Sequence, residues 1–241
     1  MGTKKVPAAT SPRTLSVDIG GSGIKLVTLD EHSHPTAEFR RTVTPHPATP
    51  AAVLTAIVEL AKLETAFDRI ACGFPGVVKK GIVYAAPNLD PSWKGFNLAE
   101  ALTAQFGKPT RVANDAAVQG YGAVEGKGQE LMITLGTGLG SSLFQKGKLV
   151  ASLEMAHHPF RKGKTYEQFL GNKAFEKGGK KRWNKLLLEA INNWFELFHF
   201  DYLYIGGGNA KKVTAKLPEN AKITANVNGI YGGLRLWEDD Y

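Results

Sequence analysis

Two stretches of this chain are built alike, and together they constrain the fold more than any other feature. Leu15, Val17 and Ile19 alternate with Ser16 and Asp18 and run into Gly20-Gly21-Ser22-Gly23, after which residues 24–29 resume an apolar strand. In the second half, the apolar run 131–135 enters Gly136-Thr137-Gly138-Leu139-Gly140, and residues 142–150 fit a further hairpin turning at Lys146-Gly147. A turn without Cβ atoms exposes backbone N–H groups to an anion. One such turn is equally well an ordinary hairpin bend that needs positive φ. A matched pair predicts two similar α/β halves whose bends face each other across a cleft and grip a phosphate chain from both sides.

Thr49-Pro50 opens a helix carrying Val53, Ile57, Leu60 and Ala61 at helical spacing to about Phe67, and a short apolar strand follows at 69–73. Asn97 with Glu100 forms a capping box ahead of Leu98, Ala101, Leu102 and Phe106, and Gly107 and Pro109 end that helix. A strand over 110–113 leads through Asn114-Asp115 into a helix over 116–124. Trp183, Leu187, Ala190, Ile191, Trp194, Phe195 and Phe198 form one broad apolar stripe. The strand 202–205 then meets a helix at a third turn, Gly206-Gly207-Gly208-Asn209, and a closing helix is expected from 226 to about 237. This order predicts a flexible tail over 1–13, an N-terminal α/β domain over 14–113 and a second α/β domain over 114–225, with a C-terminal helix of about 226–241 packed back on the first. No short-period repeat is present, which argues against a solenoid or propeller.

The 241 residues are 43% hydrophobic, enough for a core of this size. The single cysteine, Cys72, leaves neither a disulfide framework nor a cysteine-based zinc site, as suits a reducing compartment. The first fourteen residues lack the apolar centre of a secretory signal, and no uncharged apolar run reaches membrane-spanning length. A soluble, cytoplasmic protein without a membrane partner is expected. The net charge of +8 is concentrated: residues 161–185 hold Arg161, Lys162, Lys164, Lys173, Lys177, Lys180, Lys181, Arg182 and Lys185 against Glu167 and Glu176, a net +7. Such a window is either a solvated face or a track for a polyanion, which would bind by releasing counterions and weaken with salt. No helix-turn-helix, RNP or zinc-finger pattern accompanies it, so nucleic acid is not expected as a partner.

The chemistry-bearing residues cluster at the turns. Asp18, at a strand end, suits a hydrated Mg²⁺, and the hydroxyl of Ser22 and the ammonium of Lys25 add donors toward phosphate. In Asn114-Asp115 a side chain either caps the following helix or takes a proton from an attacking hydroxyl. Gly206-Gly207-Gly208-Asn209 is either a tight connection or a place where backbone approaches a base or a distal phosphate. Trp93 reads as a core or hinge residue.

In this order the motifs resemble the ROK sugar kinases, members of the actin-like, ribonuclease H-like two-domain fold with a central cleft. The resemblance runs from about residue 14 to 237. Asp18-x-Gly20-Gly21-Ser22 is similar to the first phosphate loop, Gly73-Phe-Pro75-Gly76 to the sugar-side loop, Asn114-Asp115 to the catalytic pair and Leu135-Gly-Thr-Gly-x-Gly140 to the second phosphate loop. Within the family, Pro75-Gly76-Val77-Val78, Asn88-Leu-Asp-x-x-Trp93-x-Gly95 and Glu154-x-x-His157 are most similar to the polyphosphate glucokinases. The resemblance implies phosphoryl transfer from inorganic polyphosphate, with ATP as a further donor, to the 6-hydroxyl of glucose, with Mg²⁺ as cofactor and Asp115 as base. Gly76, Asn88, Asn114, Asp115, Glu154 and His157 are the implied sugar contacts, and their mixed donors and acceptors suit vicinal hydroxyls. Glu154 and His157 are also spaced as an ordinary i, i+3 helix pair. The family's cysteine-rich zinc motif is missing, so no zinc is expected; Ala156 stands where the family usually has a glycine, a departure that bears on the pose of the sugar. The missing helix-turn-helix argues against the repressor members. An ATP-only sugar kinase and a catalytically silent sugar or polyphosphate sensor are the alternatives, and a homodimer is usual among relatives of this kind.

Overall fold

The computed structural model describes residues 11–225 and 228–238. The expected tail, but for residues 11–13, and both ends of the expected closing helix lie outside that range. The first sheet has the order β3 (Arg40–Val43), β2 (Gly23–Leu29), β1 (Thr14–Ile19), β4 (Arg69–Phe74) and β7 (Thr110–Asn114). β1, β2 and β3 pair antiparallel, and β4 and β7 continue in parallel. Both faces of β1 are covered: Leu15, Val17 and Ile19 enter a core with Val53, Ile57, Leu98 and Leu102, whereas the Ser16 hydroxyl donates to the carbonyl of Ile230 on the opposite face (2.7 Å). A small hairpin, β5 (Val77–Lys79) and β6 (Ile82–Ala85), extends from the end of β4.

The second sheet repeats this plan. β10 (Lys148–Leu153), β9 (Leu139–Gln145) and β8 (Gln129–Leu135) are antiparallel, and β13 (Tyr202–Gly206) and β14 (Ala221–Ile223) follow in parallel. Lys146 (φ 51°) and Gly147 (φ 79°) make the bend between β9 and β10, a pair of positive φ values that matches the twist of a two-residue hairpin. A two-stranded ribbon, β11 (Pro159–Arg161) and β12 (Lys164–Thr165), lies before the long helix of this half.

The helices adjust several expectations. α1 (Pro50–Ala61), capped by Thr49, stops short of Phe67. The chain beyond it brings the wholly buried carboxylate of Glu64 to the Thr28 amide (2.7 Å), with Arg40 Nε at 3.7 Å. In α2 (Leu98–Phe106) only half of the capping box forms. Asn97 accepts from the Glu100 amide, but the Glu100 carboxylate meets the Asn97 side-chain amide instead of its backbone. α3 (Asp115–Tyr121) and α4 (Tyr166–Leu170) are short. α5 (Asn172–Phe198) carries the aromatic stripe but breaks its helical path at Gly179 (φ 72°, ψ 164°). The third glycine turn runs into a single 3₁₀ turn, Ala210–Lys212, and not into the expected helix. α6 (Asn228–Arg235) lies against β1, β2, β4 and α3. Its approach depends on missing side chains: a Cβ on Gly232 would overlap the Val118 carbonyl, and one on Gly233 the Ser16 hydroxyl.

Each sheet has its own apolar core. A third core joins them, with Ala71, Ala117, Val118 and Tyr121 packed with Met132, Phe144, Tyr204 and Leu236. At its centre is α3, which touches β4 of one sheet and β8 and β9 of the other. Among the described residues no helix is long and apolar enough to cross a membrane.

Candidate active site

Above α3 the sheets enclose a cleft of about 630 Å³. Both glycine bends enter it. A Cβ added to Gly21 would lie 3.9 Å from the Asn88 side chain, and one added to Gly138 would lie 3.6 Å from the Asn88 amide nitrogen, so bends from the two sheets come near one asparagine. Neither bend uses the positive φ of an ordinary hairpin turn: Gly20, Gly21, Gly23, Gly136, Gly138 and Gly140 all avoid the left-handed region, Gly136 has open space where a Cβ would stand, and close packing constrains Gly138 and Gly140 most. A Cβ on Gly140 would overlap Ala116 and Thr134, and one on Gly138 the Glu167 carboxylate.

Side chains behind the bends hold their carbonyls. Thr44 Oγ1 donates to Gly20 O (2.6 Å). Gly136 O accepts from the Asn172 amide (3.1 Å) and from Asn209 Nδ2 (3.0 Å). Gly207 (φ 84°) packs on the backbone of Leu135, where no other residue fits, which anchors the third turn beside the second.

The two readings of Asn114-Asp115 are divided between the residues. Asn114 is the cap: its Oδ1 accepts from Ala116 N (2.9 Å) and Ala117 N (3.3 Å), and its Nδ2 donates to Gly76 O (3.0 Å), joining the helix start to the loop that carries Gly76. Asp115, the first residue of α3, also accepts from the Ala116 amide (2.8 Å) and lines the cleft. Burial, then the negative charges of Asp18 and Glu154, push its carboxyl up to about 7, although the backbone hydrogen bond pulls the other way. A carboxylate poised near neutrality suits a general base.

Asp18 is held above the ordinary carboxylate range by burial, against the opposing pull of Lys25, whose ammonium lies 3.5 Å away. At the other end, Glu154 and His157 lie 3.5 Å apart on the turn Met155–His157, and burial raises the Glu154 carboxyl. Trp93 is wholly buried against Phe74 and donates to Ala48 O (2.7 Å), the expected core role.

Every expected phosphate and sugar residue lines the cleft, and so do Gly207, Gly208 and Asn209; Gly206 stays behind it. The basic window does not enter. Arg161, Lys162, Lys164, Lys173, Lys177, Lys180, Lys181 and Arg182 are exposed and none lines the cleft. Arg161 is paired with Glu189 (2.9 Å). The lysines and arginine that do line it are Lys25, Arg41, Lys211 and Lys212. Glu167 also reaches the cleft and accepts from the Leu139 amide (3.3 Å). Its only trace in the sequence is an acid standing among bases.

Two repeated sheets, two facing glycine bends and a half-buried aspartate in the cleft define a sugar-kinase type of the actin-like fold. The family model described as "ROK family" matches residues 14–159, and the chain belongs to that family. It is 33% identical over 233 residues to the polyphosphate glucokinase of Mycobacterium tuberculosis, covering 90% of this chain and 85% of that one. An inorganic polyphosphate/ATP-glucomannokinase from Arthrobacter sp. strain KM superposes with a TM-score of 0.85 at 30% identity, over 95% of this chain and 99% of that one. A ROK family glucokinase from Streptomyces griseus, solved with glucose and AMPPNP, shares the fold at a TM-score of 0.76 and 19% identity, over 93% and 98%.

Proposed function

We propose that this protein transfers a phosphoryl group from inorganic polyphosphate, and from ATP, to the 6-hydroxyl of glucose. The observation that carries this reading is the approach of both glycine bends to Asn88 in the cleft that holds Asp115. A bend from each sheet offers backbone to an anionic chain, and the half-buried base lies beside it. The names of the relatives add the donor and acceptor classes.

In this reading Asn88, Asn114, Glu154, His157 and Glu167 hold the sugar. Asp115 accepts the proton of the 6-hydroxyl as the oxygen bonds to the terminal phosphorus. The bridging P–O bond breaks, and its electron pair stays on the shortened donor. Positioning and charge neutralisation supply most of the rate, since the transition state asks for little covalent chemistry from the protein. Asp18, a cleft carboxylate two residues before the first phosphate bend, fits Mg²⁺, because Mg²⁺ is held through one or two carboxylates, water and substrate phosphates. The described residues contain no group of three or more acidic, His or Cys ligands that would cage a metal by themselves. When bound, Mg²⁺ would neutralise charge building on the donor oxygens. The exposed bases of 161–182 act at longer range, raising the local concentration of a polyanion without touching the transferred group.

A coupled assay for glucose 6-phosphate with polyphosphate or ATP tests the reading. Asp115→Asn is expected to bind glucose by calorimetry yet lose on the order of 10²–10⁴-fold in turnover. Near-normal turnover would remove Asp115 as base. Product from ATP alone would leave an ATP-only kinase, and no product from either donor would overturn the reading.

A further inference from the structure

Besides Lys25 and Arg41, the bases that line the cleft are Lys211 and Lys212, two residues outside the conspicuous basic window. Both sit on the 3₁₀ turn that follows the third glycine bend. Lys212 Nζ lies 3.0 Å from Asn172 Oδ1. The Asn172 amide bonds to the Gly136 carbonyl, and Asn209 Nδ2 bridges Gly136 O (3.0 Å) and Asn172 Oδ1 (3.3 Å). One asparagine thus separates the Lys212 ammonium from the second phosphate bend.

The segment carrying the lysines is fixed from behind by a buried amide. Asn184, on α5, donates to the Lys212 carbonyl (3.2 Å) and accepts from Thr214 N (2.7 Å) and Ala215 N (3.0 Å). Burying a polar side chain is tolerated only where its groups are satisfied: Asn184 also donates to the Lys180 carbonyl of its own helix (2.9 Å), and its other three bonds hold the segment 212–215. Neither lysine is ion-paired with a carboxylate among the described residues, whereas Lys25 faces Asp18.

A nucleotide would need a surface for its base. No Phe, Tyr or Trp lines the cleft among the described residues. The nearby ring of Phe175 is already covered by Lys212 Nζ, 4.2 Å from its centre. Beyond the glycine bends the cleft therefore offers charge in place of a stacking face.

Building on the kinase reading above, we propose that Lys211 and Lys212 form the subsite for donor phosphates beyond the transferred group, and that Lys212, lying across Phe175, biases the enzyme toward an unbranched polyphosphate chain over a nucleotide. The two lysines are binding and specificity residues and take no part in proton transfer.

The test compares kcat/KM for long-chain polyphosphate and for ATP across a salt series, in the wild type, Lys211→Gln/Lys212→Gln, Lys211→Arg/Lys212→Arg and Lys180→Gln/Lys181→Gln. Removing the cleft pair is expected to lower the polyphosphate-to-ATP ratio of kcat/KM about tenfold or more. The log–log salt slope for polyphosphate should flatten by roughly one for each phosphate left without its lysine. The arginine variant, which keeps charge and can show by its thermal transition that the turn folds, should restore the slope. An unchanged ratio and slope in the glutamine variant would overturn the proposal, and so would an equal loss from Lys180→Gln/Lys181→Gln. Wild-type protein giving no product with either donor would instead overturn the kinase reading, so the two failures are distinct.

Discussion

The negative charge of Asp18 bears on Asp115 across the floor of the cleft and is, after burial, the largest influence raising the Asp115 carboxyl to about 7. The carboxylate suited to a cation thus tunes the carboxylate suited to a proton. If Asp115 is the base, kcat/KM for glucose rises with pH through about 7 and levels above it, because the ionised form is the active one. Asp18→Asn is expected to move that acid limb to lower pH even as turnover falls. A pH–rate profile whose limb stays in place would show that the two groups do not communicate.

Asp115 should also cost the protein stability. An unfolded aspartate titrates near pH ~3.9, and the folded one at about 7. Between those values the folded state binds more protons than the unfolded state, so this group's contribution is present at low pH and lost as pH rises through about 7. Removing the charge with Asp115→Asn is expected to raise Tm by a few degrees at about pH 8, with a ceiling of roughly 4 kcal/mol at about 1.4 kcal/mol per pKa unit. The gain should vanish near pH ~3.5, below both titrations. Thermal melts of the two proteins at both pH values decide it, and equal melting temperatures at the alkaline value would count against a half-buried, ionisable Asp115.

Asn114 has two jobs that substitution can separate. Asn114→Ala loses the α3 cap and the bond to Gly76 O, with an expected cost of about 1–2 kcal/mol and a higher KM for glucose. Asn114→Asp keeps a capping oxygen but sets a carboxylate against the Gly76 carbonyl. It should recover much of the stability and little of the KM. Recovery of both would show that the loop carrying Gly76 does not depend on this bond.

Gly232→Ala examines the seat of α6. Its new methyl would enter the space of the Val118 carbonyl, backbone that cannot swing aside as a flexible side chain can. A loss of about 1–3 kcal/mol in denaturant unfolding is expected. An unaltered midpoint would mean that α6 can lift from α3 without penalty.

The topology was legible because alternation and glycine punctuation are local signals: β1, β2, β8 and β9 follow from Leu15, Val17, Ile19 and the bends after them. Asp18, Asn114 and Asp115 were legible as a set, but the sequence could not divide capping from proton transfer, which depends on where each side chain points. Which bend glycines are fixed by packing was not legible, since only the folded chain sets Gly138 against Glu167 and Gly140 against Ala116 while leaving Gly136 open. The sequence marked the basic window but not its place, because charge density along a chain does not say which face a helix presents; its bases are exposed and lie outside the cleft. Glu167, Arg41, Lys211 and Lys212 went unnoticed because only the meeting of distant segments brings them to the cleft.

The helix that begins with Asp115 rests on both sheets at once, so the aim of its tip is set jointly by the two walls. If Asp115 is the base, any change in the angle between the walls would turn its carboxylate relative to whatever both walls hold, and a molecule gripped by one wall alone would not be aligned with it.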